Sequence, residues 1–134
     1  MDIAVVDCGL TSAASQFVDS ARNTGFCVLR NHAIGFELIE QAFLEWRGFF
    51  SLPDAEKHRY LFKRNFSRVQ SGFFPQEVSE TAKGFAAKDL KEFFHYFLCT
   101  DDLPKCIGEA TQKLRYDLIA LAKILLSWLE EALP

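Results

Sequence analysis

The three histidines are the first residues to consider for chemistry, because an imidazole can carry a proton or bind a metal near neutral pH. They occur in the sequences "NHAI", "KHRY" and "FHYF", as His32, His58 and His95. None is followed two residues later by an acidic residue, and no spacing pairs one histidine with another. One imidazole without partner ligands binds a metal weakly. The pattern therefore predicts no metal ligand and no catalytic residue, and it ranks an independent metal enzyme last.

The cysteines offer a second kind of chemistry. They are Cys8, Cys27, Cys99 and Cys106, and no two of them form a CxxC pair. This spacing argues against a zinc knuckle. The first ten residues, "MDIAVVDCGL", lack the basic start and long apolar segment of a secretory signal. We therefore expect reduced thiols in a cytoplasmic protein, without disulfide bonds.

The net charge and the hydropathy of the chain argue against two kinds of binding partner, nucleic acids and membranes. The chain has 15 Lys and Arg against 18 Asp and Glu, a net charge of −3, so no basic field exists to hold a nucleic acid. The longest apolar stretch, "DLIALAKILLSWLEEAL", contains Lys123 and two glutamates, which favours a packed helix over a membrane span. We expect neither nucleic acid nor a membrane as a partner.

The elements that must position these residues follow from the hydrophobic pattern. The β-branched run at residues 3–6 predicts a strand. A helix is predicted to begin after Thr11 or Ser12 and to stop at Gly25, and residues 26–30 return to strand character. Two strands joined by one helix indicate a parallel pair with a crossover connection.

Helical spacing resumes at Phe36 and places Phe43 and Phe49 on one apolar stripe. Residues 89–98 alternate and contain several aromatic side chains, which predicts a strand. A last helix is predicted from about Pro104 to Leu133. It is so apolar that we expect other parts of a protein to pack against more than one of its sides. The pattern predicts an α+β fold, mainly helical, with three or more helices and a few short strands in a single domain, residues 1–134.

Five segments in order resemble a known family. They are "IAVVD", "ARNTGFCVLRNHAI", "AFLEWRGFFSLPDAEKHRY", "SGFFP" and "KDLKEFFH". Together they are similar to the amino-terminal region of 2-oxoglutarate-dependent, non-haem iron(II) dioxygenases, in the isopenicillin N synthase-like branch. The resemblance implies a mainly helical region whose short strands pack on and extend a jelly-roll domain.

In that family the jelly roll holds the cofactors. A His-x-Asp pair and a distant His bind Fe(II), and an Arg-x-Ser pair binds 2-oxoglutarate; two histidines and one carboxylate leave the iron open positions for co-substrate and oxygen. Neither motif occurs in these 134 residues. The resemblance therefore implies that the chain binds no cofactor itself, and that the catalytic jelly roll is absent from it.

The resemblance also suggests roles for individual residues. His32 matches a structural histidine at a strand-to-helix corner, where it is expected to bond to backbone groups. The family usually has glycine where this chain has Ala33, so a left-handed corner would strain Ala33 unless Gly35 takes over. Gln70 and Phe74 match positions that border the substrate pocket, although Phe74 also suits core packing. His95 is expected at a domain boundary or beside the pocket.

These observations predict a non-catalytic amino-terminal domain of an oxygenase, as a fragment, a truncated product or one half of a split enzyme. It would support the jelly roll, form one wall of the substrate pocket, and not turn over alone. The alternative is a stand-alone interaction module that uses the exposed apolar surface to bind itself or another protein. The partner would then be a separate jelly-roll domain in the first case, and a second copy or an unrelated protein in the other.

Overall fold

Strand and helix alternate through the first half of the chain, as the hydrophobic pattern predicts. The computed structural model describes residues 2–62, 70–78, 90–97 and 103–133. The elements in these ranges are β1 (Ala4–Asp7), α1 (Ala13–Asn23), β2 (Cys27–Arg30), α2 (Phe36–Phe50), α3 (Asp54–Lys57), β3 (Gly72–Phe74), β4 (Phe93–His95), α4 (Glu109–Glu131) and two 3-10 helices, His58–Tyr60 and Gln76–Val78. The predicted α+β, mainly helical fold is confirmed. No described helix is long and apolar enough to cross a membrane.

These elements form two compact units. The first unit contains Met1–Phe43 and Glu109–Pro134, and the second contains Leu44–Gly108. The boundary between them falls inside α2. This division does not test the prediction of one domain over residues 1–134.

In the first unit β1 and β2 pair in parallel, with Val5 opposite Val28. The crossover helix α1 contacts both strands and also α4. Val6 is fully buried and Val18 nearly so, because each lies on the face that β1 and α1 turn toward each other. Phe17 of α1 meets Trp128 of α4 edge-on, with ring centroids 5.9 Å apart. The predicted parallel pair is confirmed.

The end of α1 is set by backbone geometry. Gly25 has a φ of +76°, the left-handed conformation that glycine adopts at low cost. The N–H groups of Thr24 and Gly25 both donate to the carbonyl oxygen of Ser20, at 2.9 and 3.2 Å. The predicted stop at Gly25 is confirmed. At the other end Ser12 precedes the helix, but its hydroxyl accepts from the Gln16 side chain rather than from a backbone N–H.

Asp7 joins the carboxyl ends of the two parallel strands. Its carboxylate accepts hydrogen bonds from the Asn31 amide at 3.0 and 2.9 Å, from Arg30 Nε at 3.0 Å and from the Gly9 N–H at 3.0 Å. The Asn31 bond, followed by the Gly9 bond, lowers the pKa of Asp7. Asn31 itself has a φ of +55°, so it is the left-handed residue of this corner. Ala33 does not carry that strain.

An aromatic cluster forms the core of the second unit. Phe49 of α2 is fully buried, and so is Phe73 of β3. Phe49 contacts five aromatic rings edge-on, at centroid distances of 5.2–6.0 Å; they belong to Trp46, Phe50, Tyr60, Phe73 and Phe94. Edge-to-face contacts of this kind each add about 0.5–1.5 kcal/mol beyond burial. The cluster therefore stabilises the attachment of β3 and β4 to α2.

Gly72 allows the chain to pass close to β3. It has a φ of +116°, and a Cβ at this position would lie 2.7 Å from the carbonyl oxygen of Tyr60. The segment after Tyr60 pairs with β3, because the Phe62 N–H donates to the Phe73 carbonyl at 3.0 Å. A side chain at position 72 would push this segment away.

Three sequence predictions on these elements are wrong in part. The last helix begins at Glu109, not near Pro104, because Ile107 N–H closes a turn onto the Pro104 carbonyl at 2.8 Å and both residues are buried. The predicted strand 89–98 is a strand only at Phe93–His95, and residues 89 and 98 lie outside the described part. Phe43 is 68% exposed, since Ala42 and Phe49 define the buried face of α2.

Several apolar side chains of α4 are exposed. Ile119 and Leu126 lie on the side of α4 away from Leu121 and Trp128, and they are 39% and 63% exposed. Leu118 on α4 and Leu133 just beyond its end are 49% and 69% exposed. Helix α1 covers the other side. Within the described residues, α4 therefore has apolar surface beyond what α1 covers, as its composition predicts.

The Asp7 contacts predict a specific pH dependence. Because the folded pKa of Asp7 is lowered, its stabilising contribution is complete above the unfolded pKa of about 3.9. It is lost as the pH falls through the folded pKa. We expect Asp7→Asn to lower the melting temperature at pH 7 and to flatten the fall of stability in acid. Thermal melts between pH 2 and pH 7 measure this, with Asp19→Asn on the exposed side of α1 as the control. Equal effects of both substitutions would contradict the role of Asp7.

Because the backbone of Tyr60 lies so close to Gly72, adding one methyl group at this position should strongly lower the free energy of unfolding. We expect Gly72→Ala to lower the free energy of unfolding by about 2–4 kcal/mol, through left-handed strain and the contact with Tyr60. Gly48→Ala is the matched control, because nothing lies within 4 Å of its added Cβ and it sits inside α2. The control should be neutral or stabilise by up to about 1 kcal/mol. Urea unfolding compares the two variants, and a neutral Gly72→Ala would refute the steric argument.

Candidate functional site

The antiparallel pair of β3 and β4 separates two groups of side chains. The opposed residues are Gly72 with His95, Phe73 with Phe94, and Phe74 with Phe93. Since successive side chains of a strand point to opposite faces, Phe73 and Phe94 share the face toward Phe49. Phe74, Phe93 and His95 share the opposite face. That opposite face forms the wall of a cleft.

The cleft encloses about 630 Å³, a size typical of small-molecule sites. Its lining residues are Phe62, Gln70, Phe74, Val78, Lys91, Phe93 and His95. The structure thus brings Gln70 and Phe74, the two residues predicted from sequence, into one cleft. Phe74 is only 7% exposed, so it also serves core packing. The prediction that these two residues line a substrate pocket stays a prediction.

Three stacked phenyl rings form an aromatic row in the cleft wall. Phe74 stacks on Phe62 with centroids 4.6 Å apart and on Phe93 with centroids 4.7 Å apart, at interplanar angles of 17° and 9°. The His95 ring is tilted against both Phe74 and Phe93, at 4.9 Å from each. The row arises because Phe62, Phe74 and Phe93 occupy neighbouring positions on three adjacent backbone segments.

Hydrogen bonds to backbone carbonyl groups orient His95 and the neighbouring Ser71. His95 Nδ1 lies 3.1 Å from the Gln70 carbonyl oxygen. A carbonyl only accepts, so Nδ1 carries the hydrogen and the neutral ring keeps its lone pair on Nε2. The Ser71 hydroxyl donates to the His95 carbonyl at 3.2 Å, and Lys91 Nζ lies 5.8 Å from the Phe93 ring centroid. His95 therefore lines the cleft, and its expected place at a domain boundary or beside a substrate pocket stays a prediction.

An ion pair fixes the start of β4. Lys57 is 6% exposed, and its Nζ donates to both carboxylate oxygens of Glu92, at 3.0 and 2.8 Å. Asp54 Oδ1 lies 3.1 Å from the same nitrogen, and the Phe73 ring centroid lies 5.6 Å away. The bond to Glu92 is the main cause of a raised pKa of Lys57. Glu92 thus joins the residue before β4 to α3 through Lys57.

Sequence reasoning missed most of the cleft. Phe62, Val78, Lys91 and Phe93 were not predicted to line it. The alternation in "KEFFH" contained a usable signal, because Lys91, Phe93 and His95 are two residues apart and so share a strand face. Phe62 and Val78 join the cleft through contacts between distant segments, and nothing in the local sequence indicates them.

Comparison with known proteins assigns this architecture to a family. Residues 3–115 match the family model described as "non-haem dioxygenase in morphine synthesis N-terminal". The chain belongs to this family of dioxygenase N-terminal domains. The match includes β1, β2 and both strands that form the cleft. The family predicted from the order of the sequence motifs is confirmed.

Two known proteins are similar to this chain. A crystal structure from Shewanella oneidensis, of a protein assigned as an oxygenase, superimposes over 100% of this chain with a TM-score of 0.81 and 33% identity. The chain spans 44% of that protein. UPF0676 protein C1494.01 of Schizosaccharomyces pombe is 38% identical over 58 residues, which are 43% of this chain and 17% of the yeast protein. The chain thus spans less than half of each relative.

The histidines of this dioxygenase N-terminal domain make different contacts. His32 is half-buried at the corner before α2, and its Nδ1 accepts a 3.3 Å hydrogen bond from the Ile34 N–H. His58 is exposed, with Nδ1 2.6 Å from the Asp54 carbonyl oxygen. Among the described residues, no three His, Cys, Asp or Glu side chains are grouped so that they could hold a metal ion. The side chains present there do not fit the iron site that the resemblance implies for the jelly roll.

The Lys57–Glu92 pair predicts a stability effect that reaches the cleft. We expect Lys57→Met to lower the free energy of unfolding by about 1–3 kcal/mol, because the substitution leaves Glu92 without its cation. Glu92 keeps partial access to water, with 34% of its side chain exposed, which holds the loss below that of a fully buried pair. Urea unfolding measures the change. The exposed Lys105 supplies the control, since Lys105→Met should stay within about 0.5 kcal/mol.

The same pair should persist in alkaline solution. Since the folded pKa of Lys57 is raised, its contribution is complete below the unfolded pKa of about 10.4 and is lost as the pH rises through the folded pKa. The difference in stability between the native protein and Lys57→Met should therefore be constant from pH 7 to pH 9. A difference that disappears in this range would contradict the pairing.

Proposed function

We propose that this chain acts as the N-terminal domain of a 2-oxoglutarate-dependent, non-haem iron(II) oxygenase. In this role it supports a jelly-roll catalytic domain and forms one wall of the substrate pocket. The main support is the superposition of the whole chain on 44% of the Shewanella protein at 33% identity. The rest of an oxygenase of that size would supply the catalytic domain.

The open face of the first-unit sheet supports a docking role. Ile3, Val5, Phe26 and Val28 lie on the face opposite Val6, and they are 54%, 54%, 71% and 52% exposed. Parallel sheets are normally covered on both faces, and here α1 covers one. We infer that the catalytic domain covers the other. Because these side chains are already about half covered, burial of the rest of each would contribute about 1–2 kcal/mol to the attachment.

The cofactors belong to the proposed catalytic domain. The sequence contains no His-x-Asp and no Arg-x-Ser, the motifs that the resemblance assigns to Fe(II) and 2-oxoglutarate. We propose that a jelly roll supplies both sites, that this chain alone does not turn over, and that the assembled oxygenase works in the cytoplasm. The matched proteins do not favour the alternative of a stand-alone interaction module.

A chimera tests the proposal. The native chain would replace the matched segment of the Shewanella protein, and anaerobic Fe(II) and 2-oxoglutarate would be titrated in. We expect the chimera to give the visible charge-transfer band of a loaded iron site, and the chain alone to give none. A band from the chain alone, or an insoluble or bandless chimera, would contradict the proposal.

Substitutions in the chimera test the docking face. Val28→Lys introduces a charge on the open sheet face and should lower the melting temperature of the chimera and reduce the band. Ile124→Lys is the matched control, because Ile124 is 49% exposed against 52% for Val28 and lies on α4. It should leave both readouts unchanged. Sedimentation of the chain alone completes the test. A stable dimer whose interface is the open sheet face with Val28 would support the interaction module instead.

A further inference from the structure

We propose that the cleft beside β3 and β4 binds a neutral aromatic compound that carries a hydroxyl group. The hydroxyl group donates a hydrogen bond to His95 Nε2, and the ring of the compound lies against the aromatic row. That this ligand is a substrate rests on the proposed function. The class of ligand rests on the hydrogen bonds and ring contacts of the cleft lining itself.

The position of one hydrogen atom on His95 determines which group the cleft can recognise. His95 Nδ1 lies 3.1 Å from the Gln70 carbonyl oxygen, which can only accept. Nδ1 therefore carries the hydrogen, and Nε2 of the neutral ring carries the lone pair. The described residues form no hydrogen bond to Nε2. Nε2 is thus an acceptor on an exposed side chain of the lining, and a ligand hydroxyl group is a matching donor.

The charges near the cleft favour a neutral ligand. Lys91 already interacts within the chain, and its Nζ lies 5.8 Å from the Phe93 ring centroid. No acidic side chain is among the described residues that line the cleft. Glu92, the neighbour of Lys91 in sequence, binds Lys57 through both carboxylate oxygens. An acid or an amine would therefore lose hydration without gaining a new ion pair, whereas a neutral compound avoids this cost.

The aromatic row favours a ligand that contains a ring. Phe74 stacks between Phe62 and Phe93, at centroid distances of 4.6 and 4.7 Å, and is only 7% exposed. Phe62 and Phe93 are half-buried, so a ligand ring can pack on the end of the stack or against ring edges. The His95 ring lies 4.9 Å from both Phe74 and Phe93. A ring in contact with the row is therefore close to the acceptor.

The size of the cleft and its remaining side chains fit a compound with one ring. A volume of about 630 Å³ is in the range of small-molecule sites. Gln70 contributes an amide, which is a neutral donor and acceptor and can bond to the hydroxyl oxygen of the ligand. Val78 contributes an apolar contact. A phenol or another small aromatic alcohol satisfies this combination of groups.

Matched probes test the ligand class on the full chain. Ligand-observed NMR near neutral pH would compare 4-ethylphenol with its methyl ether, with 4-ethylbenzoate and with 4-ethylbenzylamine. We expect saturable binding of the phenol and about fivefold weaker binding of the ether, which lacks the donor. The two charged compounds should bind at least about fivefold more weakly than the phenol. An absence of phenol binding overturns the proposal, and so does equal or tighter binding of any other probe.

A variant of His95 tests whether its Nε2 is the acceptor. In His95→Asn the amide nitrogen can replace Nδ1 as the donor to the Gln70 carbonyl, but the acceptor at Nε2 is lost. The phenol and the ether should then bind within about twofold of each other. This ratio isolates the hydrogen bond, because both probes make the same ring contacts.

His58→Asn is the matched control. His58 is exposed, its Nδ1 also lies near a backbone carbonyl oxygen, that of Asp54, and it is not among the described lining residues. This variant should keep the preference of about fivefold for the phenol. A preference that persists in His95→Asn, or that is lost in both variants, overturns the proposed acceptor. Circular dichroism confirms that each variant is folded.

The two proposals fail separately. The probe comparison uses the chain alone and reads out the cleft, whereas the chimera reads out attachment to a catalytic domain. A chimera with the charge-transfer band, together with a chain that does not prefer the phenol, would refute the ligand class and leave the oxygenase role standing. A chain that prefers the phenol, together with a chimera without the band, would refute the oxygenase role instead.

Discussion

The burial of Phe49 among five aromatic rings is the contact on which the second unit depends. Edge-to-face packing specifies how each ring is oriented, so Phe73 and Phe94 are held with their backbones at a set distance from α2. Once those two side chains point inward, the two-residue repeat of a strand sends Phe74, Phe93 and His95 the other way. The core and the cleft are thus two faces of the same strand pair. A change that loosens the core should also disturb the cleft.

Polar contacts at the ends of strands complete this organisation. In the first unit, Asp7 gathers the ends of β1 and β2 through Asn31, Arg30 and a backbone N–H. In the second, Lys57 holds the residue before β4. These residues belong to the segments "IAVVD", "RNHAI" and "DAEKHRY", which identify the family from sequence. In this domain those motif residues perform structural work, and none of them is among the described residues that line the cleft.

Local features of the sequence predicted local features of the fold. The strand–helix–strand start, the left-handed stop at Gly25 and the beginning of α2 all follow from patterns within a few residues. The start of α4 could not be predicted in this way, because Pro104 and Ile107 are drawn into the core of the second unit. The Lys57–Glu92 pair joins residues 35 positions apart, and Phe62 reaches the cleft through pairing with β3. Such long-range pairings leave no trace in a single sequence.

The crowding at Gly72 has a consequence for how this cleft can be varied. Positions 70 and 74 face the cleft, but a side chain at Gly72, midway between them, would meet the backbone of Tyr60 and Phe62. Laboratory diversification of the cleft lining can therefore vary Gln70 and the two β4 residues that face the cleft, Phe93 and His95, provided that Gly72 is kept constant. In the segment "SGFFP", Gly72 is then the position that must stay constant, and the cleft-lining residues near it can vary. The backbone packing at position 72 thus requires a residue without a side chain, whatever occupies the rest of the cleft lining.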